Sequence, residues 1–125
     1  MIENDLSAII VDCCYNIHVE LGPGLLESVY EEVLHYELIK QGIKVSRQQL
    51  IPVSWQGIHL EQGFRADLIV EDSVIIEIKS VAMIAPVHKK QLLTYLRLTD
   101  LRLGLLVNFN EALIKDGLYR VVNKL

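Results

Sequence analysis

The spacing of apolar residues changes at Gly42, and that change limits the fold more than any other feature. Before Gly42, apolar residues recur every three or four positions, which is the period of an α-helix. From Lys44 to Lys79 the period is that of a β-strand. Helices followed by strands bury their apolar faces against one another, so the pattern favours an α/β domain.

Two helices are predicted before that change. The first runs from about Asp5 to Leu21 and is broken by Gly22-Pro23-Gly24. The second runs from about Leu25 to Gln41, and Gly42 follows it as a C-cap. Because the break is short, the two helices are expected to form a hairpin or a bent pair.

Three strands are predicted next, as an antiparallel meander. The first lies within Lys44 to Ser54, where Pro52 indicates an edge strand or an irregular pairing. The second runs from Ile58 to Val70 and is bulged near Gly63. The third, Val74 to Lys79, is short and strongly apolar.

One helix and two strands are predicted in the remainder of the chain. Pro86 marks the helix start and Val87 to Leu98 continue it, while Leu103 to Phe109 and Leu118 to Val122 are the strand segments. The predicted order is α-α-β-β-β-α-β-β. Since the 125 residues contain no repeat or linker, residues 1–125 are expected to form a single domain.

The net charge of −4 limits how the protein meets nucleic acid. It argues against a protein that coats nucleic acid electrostatically, because phosphate binding normally needs a basic surface. It does not argue against an enzyme that meets phosphate at a single metal site, since acidic residues attract phosphate once they hold a cation.

Other features of the sequence favour a cytoplasmic protein. Cys13 and Cys14 are adjacent, so they point in different directions on a helix and are expected to be reduced and buried. The N-terminus lacks a basic leader, and no apolar run approaches the roughly 20 residues of a membrane span. The hydrophobic fraction of 51% predicts a well-filled core, with a homodimer contact as the alternative.

The residues that carry chemistry lie on the second and third strands. A turn at Glu71 to Ser73 joins the strands and sets Asp67 opposite Glu77, three residues back on each strand. Lys79 shares the face of Glu77 because side chains alternate along a strand. Two carboxylates and an ammonium are therefore expected in one small patch of the sheet.

Opposed carboxylates repel each other, and a divalent cation compensates for that repulsion. Such a cation polarises a phosphate oxygen and lowers the pKa of bound water. Lys79 would then orient or deprotonate the attacking water, or stabilise negative charge in the transition state. The alternative is a solvent-facing Glu/Lys alternation, with Asp67 as an ordinary cross-strand neighbour.

This pattern resembles the PD-(D/E)XK nuclease superfamily, in which an acidic residue on one strand precedes (D/E)xK on the next. Asp67 stands at the first position and Glu77-Ile78-Lys79 at the second, while Ala66 replaces the proline. The resemblance implies an α/β restriction-endonuclease-like fold with a mixed central sheet flanked by helices. It also implies Mg²⁺ or Mn²⁺ bound by Asp67, Glu77 and the Ile78 carbonyl.

Gly24 to Tyr30 resemble the motif of the small bacterial GxxExxY proteins, a branch of the same superfamily. The match continues through residues 64–67, 76–80 and 91–96. The resemblance implies that Glu27 completes the metal site, although the helix dipole also favours a glutamate in the first turn. Tyr30, one turn later, either positions Glu27 or packs.

Gln91 and Tyr95 lie four residues apart and share a face of the third predicted helix. The resemblance implies the QxxxY element of RecB-like nucleases, with Gln91 contacting Lys79 or a substrate phosphate. A surface glutamine is the alternative. Arg65 precedes Asp67 by two positions and is expected either to contact phosphate or to form a salt bridge with Glu77 or Glu27.

Taken together, the sequence favours an Mg²⁺- or Mn²⁺-dependent phosphodiesterase acting on DNA or RNA, with Asp67, Glu77, Lys79 and Gln91 as catalytic residues. One alternative is a non-catalytic binding or regulatory module on a nuclease fold. Another is a purely structural role for the strand charges, with an apolar surface for interaction.

Overall fold

The helices and strands follow the predicted order. In the computed structural model, which describes residues 2–125, the helices are α1 (Ile2–Leu21), α2 (Glu27–Lys40) and α3 (Pro86–Thr99). The strands are β1 (Val45–Trp55), β2 (Ile58–Val70), β3 (Val74–Lys79), β4 (Leu103–Asn108) and β5 (Leu118–Val122). A short 3-10 turn at Ile114–Gly117, which the apolar spacing does not reveal, precedes β5.

The strands form one five-stranded sheet in the order β1-β2-β3-β4-β5. The predicted antiparallel meander of β1, β2 and β3 is confirmed. β4 runs parallel to β3, because α3 returns the chain to the same end of the sheet, and β5 is antiparallel to β4. The sheet is therefore mixed and carries helices on both faces.

Alternate residues of β3 face two separate cores. Val74, Ile76 and Ile78 belong to the larger core, which α1 and α2 cover. Ile75 belongs to the smaller core beneath α3, where it joins Leu92 and other apolar residues. Since Glu77 has the parity of Ile75, the charged positions of β3 are directed to the α3 side.

The irregularity predicted near Gly63 is confirmed. Ile51 pairs with Phe64 and Val53 pairs with Leu60, so three residues of β2 lie opposite Pro52 alone. A Cβ atom on residue 63 would lie 2.1 Å from Cγ2 of Val53, which explains the glycine. β1 is an edge strand, where a proline removes no hydrogen bond from a further neighbour.

Helix α2 begins two residues later than the apolar spacing predicts. Leu26 has extended backbone angles and is the N-cap, so the helix starts at Glu27. The side chains of Cys13 and Cys14 are buried and form no disulfide, as predicted. Within residues 2–125, no helix combines the length and the apolar character needed to cross a membrane.

Candidate active site

Asp67 and Glu77 lie where β2 and β3 separate. The backbone pairing runs from Val70–Val74 to Leu68–Ile76, in the register expected from the turn. At the next position, hydrogen bonds to the two carboxylates replace the backbone pairing of the strands. The Glu77 Oε2 atom accepts the Asp67 N–H at 2.9 Å, and Asp67 Oδ2 accepts the Ile78 N–H at 2.8 Å. Each acid thus holds the backbone of the opposite strand.

Burial raises the pKa of both carboxyls. The pKa of Glu77 rises to about 8, first because of burial and second because of the charge of Asp67. The pKa of Asp67 is raised mainly by burial, while the hydrogen bond from the Ile78 N–H lowers it in part. Two acids that share a buried space in this way favour either a proton or a cation between them.

Lys79 is half-buried at the end of β3, on the same face as Glu77. Its positive charge lowers the pKa of both Asp67 and Glu77, so the ammonium lies within electrostatic reach of the two acids. The ammonium has no hydrogen bond or ion pair with any of residues 2–125. It is therefore available to a water molecule or an anionic ligand.

Glu27 reaches the end of β3 from the first turn of α2. The Ser80 N–H donates to Glu27 Oε2 at 3.1 Å, and the Ser80 hydroxyl donates to the Leu25 carbonyl at 2.7 Å. The residue after Lys79 is therefore tied to the start of α2. The Glu27 carboxylate lies beside the candidate site but is bonded to backbone.

Tyr30 packs rather than contacting Glu27. Its ring is fully buried and stacks on Phe109, with 4.4 Å between the ring centroids. Its hydroxyl donates to the Gly22 carbonyl at 2.6 Å and accepts the Leu25 N–H at 3.1 Å. Tyr30 therefore stabilises the turn between α1 and α2, from which Glu27 projects.

The sequence analysis did not identify Glu31, which faces the site from the next turn of α2. Its side chain is buried, and Oε2 accepts a hydrogen bond from Arg47 Nε at 2.7 Å. Gln48 donates through Nε2 to Glu31 Oε1 at 2.6 Å and to Asp67 Oδ1 at 3.2 Å. The four-residue spacing from Glu27 was the one available signal, since it places both acids on one face of the helix.

An open cavity of about 680 Å³ exposes part of this cluster. Its polar lining consists of Glu27, Ser28, Glu31, Arg47, Gln48, Asp67 and Ser80. Asp67 reaches the cavity, whereas Glu77 and Lys79 are outside its lining. The expected grouping of all three charged residues on one sheet face stays a prediction. The Asp67 carboxylate lies in the gap between strands, and Glu77 lies on the α3 side.

Two further predicted residues lie on α3, on the other side of the sheet from α2. Tyr95 stacks on Phe64 at 3.8 Å between centroids, and its pKa is raised first by burial and then by the charges of Glu77 and Asp67. Gln91 is exposed one turn earlier on α3, and the expected hydrogen bond to Lys79 is not formed among residues 2–125.

The salt bridge considered for Arg65 is also not formed within residues 2–125. Arg65 is exposed and makes no ion pair with Glu27 or Glu77. Arg47, on the neighbouring strand, instead pairs with an acid of the site, Glu31. Arg65 pairs through its backbone with Leu50 and remains accessible near Asp67.

The donor set fits a hard divalent cation in part. The carboxylates of Asp67 and Glu77 and the Ile78 carbonyl supply oxygen ligands, which Mg²⁺ prefers. The charge of Glu77 is buried next to a second acid, as a cation site requires. However, the described residues contain no group of three His, Cys, Asp or Glu side chains arranged to hold a metal ion. Water or substrate would have to complete the coordination.

Comparisons with known proteins agree with this architecture. A family model for the PD-(D/E)XK nuclease superfamily matches residues 4–121. The crystal structure of SSO0001 aligns with a TM-score of 0.54 and 23% identity, over 79% of this chain and 51% of that chain. This chain thus spans about half the length of that structure. At 23% identity, the likeness shows the fold alone. No curated protein matches the sequence significantly.

Proposed function

Because this chain belongs to the PD-(D/E)XK nuclease superfamily, we propose that it hydrolyses phosphodiester bonds in DNA or RNA. The observation that carries the proposal is the reciprocal bonding of Asp67 and Glu77 beside the unpartnered ammonium of Lys79. A buried acid next to a half-buried one at the end of a strand ladder costs stability, and a bound catalytic cation would offset that cost.

The proposed cofactor is Mg²⁺ or Mn²⁺, held by Asp67, Glu77 and the Ile78 carbonyl. Glu27 is proposed as a further ligand, since it lies beside the end of β3. When bound, such an ion polarises a phosphoryl oxygen and makes its coordinated water more acidic. Binding requires Glu77 to release its proton.

The chain's own residues would do the remaining work. Lys79 orients the attacking water or neutralises charge that develops on the phosphate, because its ammonium is near both acids and otherwise unbonded. Gln91 and Arg65, both exposed, are proposed to contact substrate phosphates. Tyr95 and Tyr30 support the site by packing against Phe64 and Phe109.

We propose, more narrowly, that the chain belongs to the GxxExxY branch of the superfamily. The motif residues Gly24, Glu27 and Tyr30 support this assignment through their contacts. Tyr30 bonds the turn that Gly24 belongs to, and Glu27 bonds the residue after the (D/E)xK motif. Four motifs in order along the chain support it further.

Cleavage assays test the proposal. Supercoiled plasmid, single-stranded DNA and RNA are incubated with the protein and Mg²⁺ or Mn²⁺. We expect cleavage that EDTA abolishes and that Asp67→Asn and Lys79→Ala both remove. Lys115→Ala, an exposed lysine on the 3-10 turn, is the matched control and should retain activity. Activity that persists in Asp67→Asn or Lys79→Ala excludes these residues as catalysts.

A non-catalytic binding module is the second candidate. Two observations favour it: the described residues hold no three-side-chain metal cluster, and the net charge is −4. Calorimetric titration with Mn²⁺ distinguishes the two. Saturable heat at up to millimolar Mn²⁺, absent in Asp67→Asn, supports the nuclease, whereas no heat supports the binding module.

A further inference from the structure

Gln48 lies between two acids that belong to different elements. Its Nε2 atom donates to Glu31 Oε1 of α2 at 2.6 Å and to Asp67 Oδ1 of β2 at 3.2 Å. An amide nitrogen carries two N–H donors, so both bonds form at once. Two acceptors on this side also fix which end of the amide faces the site.

The backbone of Gln48 has an unusual conformation for a strand. Its φ angle is +53°, in the left-handed region that residues with side chains seldom adopt. The pairing of β1 with β2 is interrupted at this residue, between the pairs Arg47–Leu68 and Gln49–Ala66. Asp67 is the residue opposite the interruption. This backbone conformation therefore turns the Gln48 side chain toward Asp67, and one residue pair of the β1–β2 pairing is lost.

Glu31 gives that side chain a fixed support. Its carboxylate is buried, and its second oxygen accepts the 2.7 Å bond from Arg47 Nε. Both oxygens of Glu31 are therefore engaged by adjacent residues of β1. A carboxylate held in this way cannot rotate freely, so it restrains the amide of Gln48 in turn.

We propose that Gln48 is a positioning residue that sets the orientation of the Asp67 carboxylate. This inference rests on the proposed nuclease function. Gln48 holds Oδ1 of Asp67 while the Ile78 N–H holds Oδ2, so the carboxylate is fixed from both neighbouring strands. A carboxylate oriented before the ion arrives binds it with less loss of conformational freedom. In this role Gln48 acts through Asp67.

Replacement by glycine separates this role from a structural one. Gln48→Gly removes the amide donor to Glu31 and Asp67 but suits a positive φ, so relief of the backbone strain offsets part of the lost hydrogen bonding and the variant should stay folded. Loss of the hydrogen bond to Asp67 should weaken Mn²⁺ binding and lower kcat by about tenfold or more, with KM for nucleic acid unchanged. The matched control is Gln56→Gly, at a turn residue of the same type with φ +47°. This variant should keep the stability of wild type, as well as its kcat and Mn²⁺ affinity.

The assay distinguishes failure of this inference from failure of the nuclease proposal. Each variant is measured by urea unfolding, Mn²⁺ calorimetry and steady-state cleavage. If wild type cleaves and Gln48→Gly matches it in kcat and Mn²⁺ affinity, the positioning role is wrong while the nuclease stands. A Gln48→Gly variant that loses activity only in proportion to lost stability also overturns it. If wild type neither binds Mn²⁺ nor cleaves, the proposed function fails and this inference falls with it.

Discussion

Asp67 and Glu77 each bind the backbone N–H of the strand that carries the other. The Asp67 N–H donates to Glu77 Oε2 at 2.9 Å, and the N–H of Ile78, next to Glu77, donates to Asp67 Oδ2 at 2.8 Å. The two bonds continue the β2–β3 ladder with side chains where the strands separate. Burial and the charge of Asp67 raise the pKa of Glu77 to about 8, which makes the stability of the metal-free protein sensitive to pH.

The stability of the metal-free protein should fall as pH rises from about 4.5 to about 8. Over this interval folded Glu77 keeps a proton that the unfolded chain has already lost, since its folded pKa is about 8 and its ordinary value is 4.5. Folding therefore takes up a proton, and raising the pH opposes it. Urea unfolding in EDTA at several pH values measures this effect.

Glu77→Gln should remove that part of the pH dependence and be more stable than wild type at pH 8, because it carries no buried charge. Glu61→Gln, on an exposed β2 position, is the control and should follow the wild-type curve. Parallel curves for wild type and Glu77→Gln would mean that Glu77 titrates near its ordinary value.

The substitution Lys79→Ala should abolish catalysis while preserving the fold. Its ammonium has no hydrogen bond or ion pair across residues 2–125, so the folded state loses little when it is removed. A group that handles the proton of the attacking water contributes roughly 100-fold or more to the rate. Steady-state cleavage and circular dichroism measure the two effects. Loss of folding together with activity would assign Lys79 a structural role.

Arg47→Ala should destabilise the protein more than a comparable change at the surface. It leaves the buried carboxylate of Glu31 with one donor fewer, which costs about 1–3 kcal/mol of unfolding free energy. The control is Lys44→Ala, which breaks the exposed pair with Asp72 and should cost under about 1 kcal/mol. Equal losses in the two variants, measured by urea unfolding, would show that Glu31 is well solvated.

Tyr30→Phe tests how the α1–α2 turn supports the site. The change removes a hydroxyl bonded to both Gly22 and Leu25 but keeps the ring stacked on Phe109, so it should cost about 1–2 kcal/mol. Because Glu27 projects from the end of this turn, Mn²⁺ affinity should also fall. Unchanged stability would mean that water replaces the hydroxyl. Unchanged Mn²⁺ affinity would show that Glu27 is not a ligand of the metal.

The turn length and the alternation of side chains along the strands were enough to predict that Asp67 lies opposite Glu77. A short turn fixes the register of a hairpin, and the alternation of β3 then assigns each face. Family resemblance added Glu27, which the structure brings to Ser80 at the end of β3. These positions depend on contacts between neighbouring elements or on a motif with a known order.

The cluster around Glu31 could not be predicted in the same way. Its geometry depends on the positive φ of Gln48, a conformation that the residue type does not favour. It also depends on the contacts of Arg47 and Gln48 on β1 with Glu31 on α2, which no local period encodes. The hydroxyl contacts of Tyr30 were missed for a similar reason, since they join backbone groups of a turn between two helices.

An anomalous difference map from a crystal soaked in Mn²⁺ tests the central claim most directly. The account predicts one strong peak coordinated by the carboxylates of Asp67 and Glu77 and by the Ile78 carbonyl, with Asp67 still held by Gln48. A map without a peak at this position, in which the two carboxylates keep their bonds to the Asp67 and Ile78 N–H groups, would contradict it.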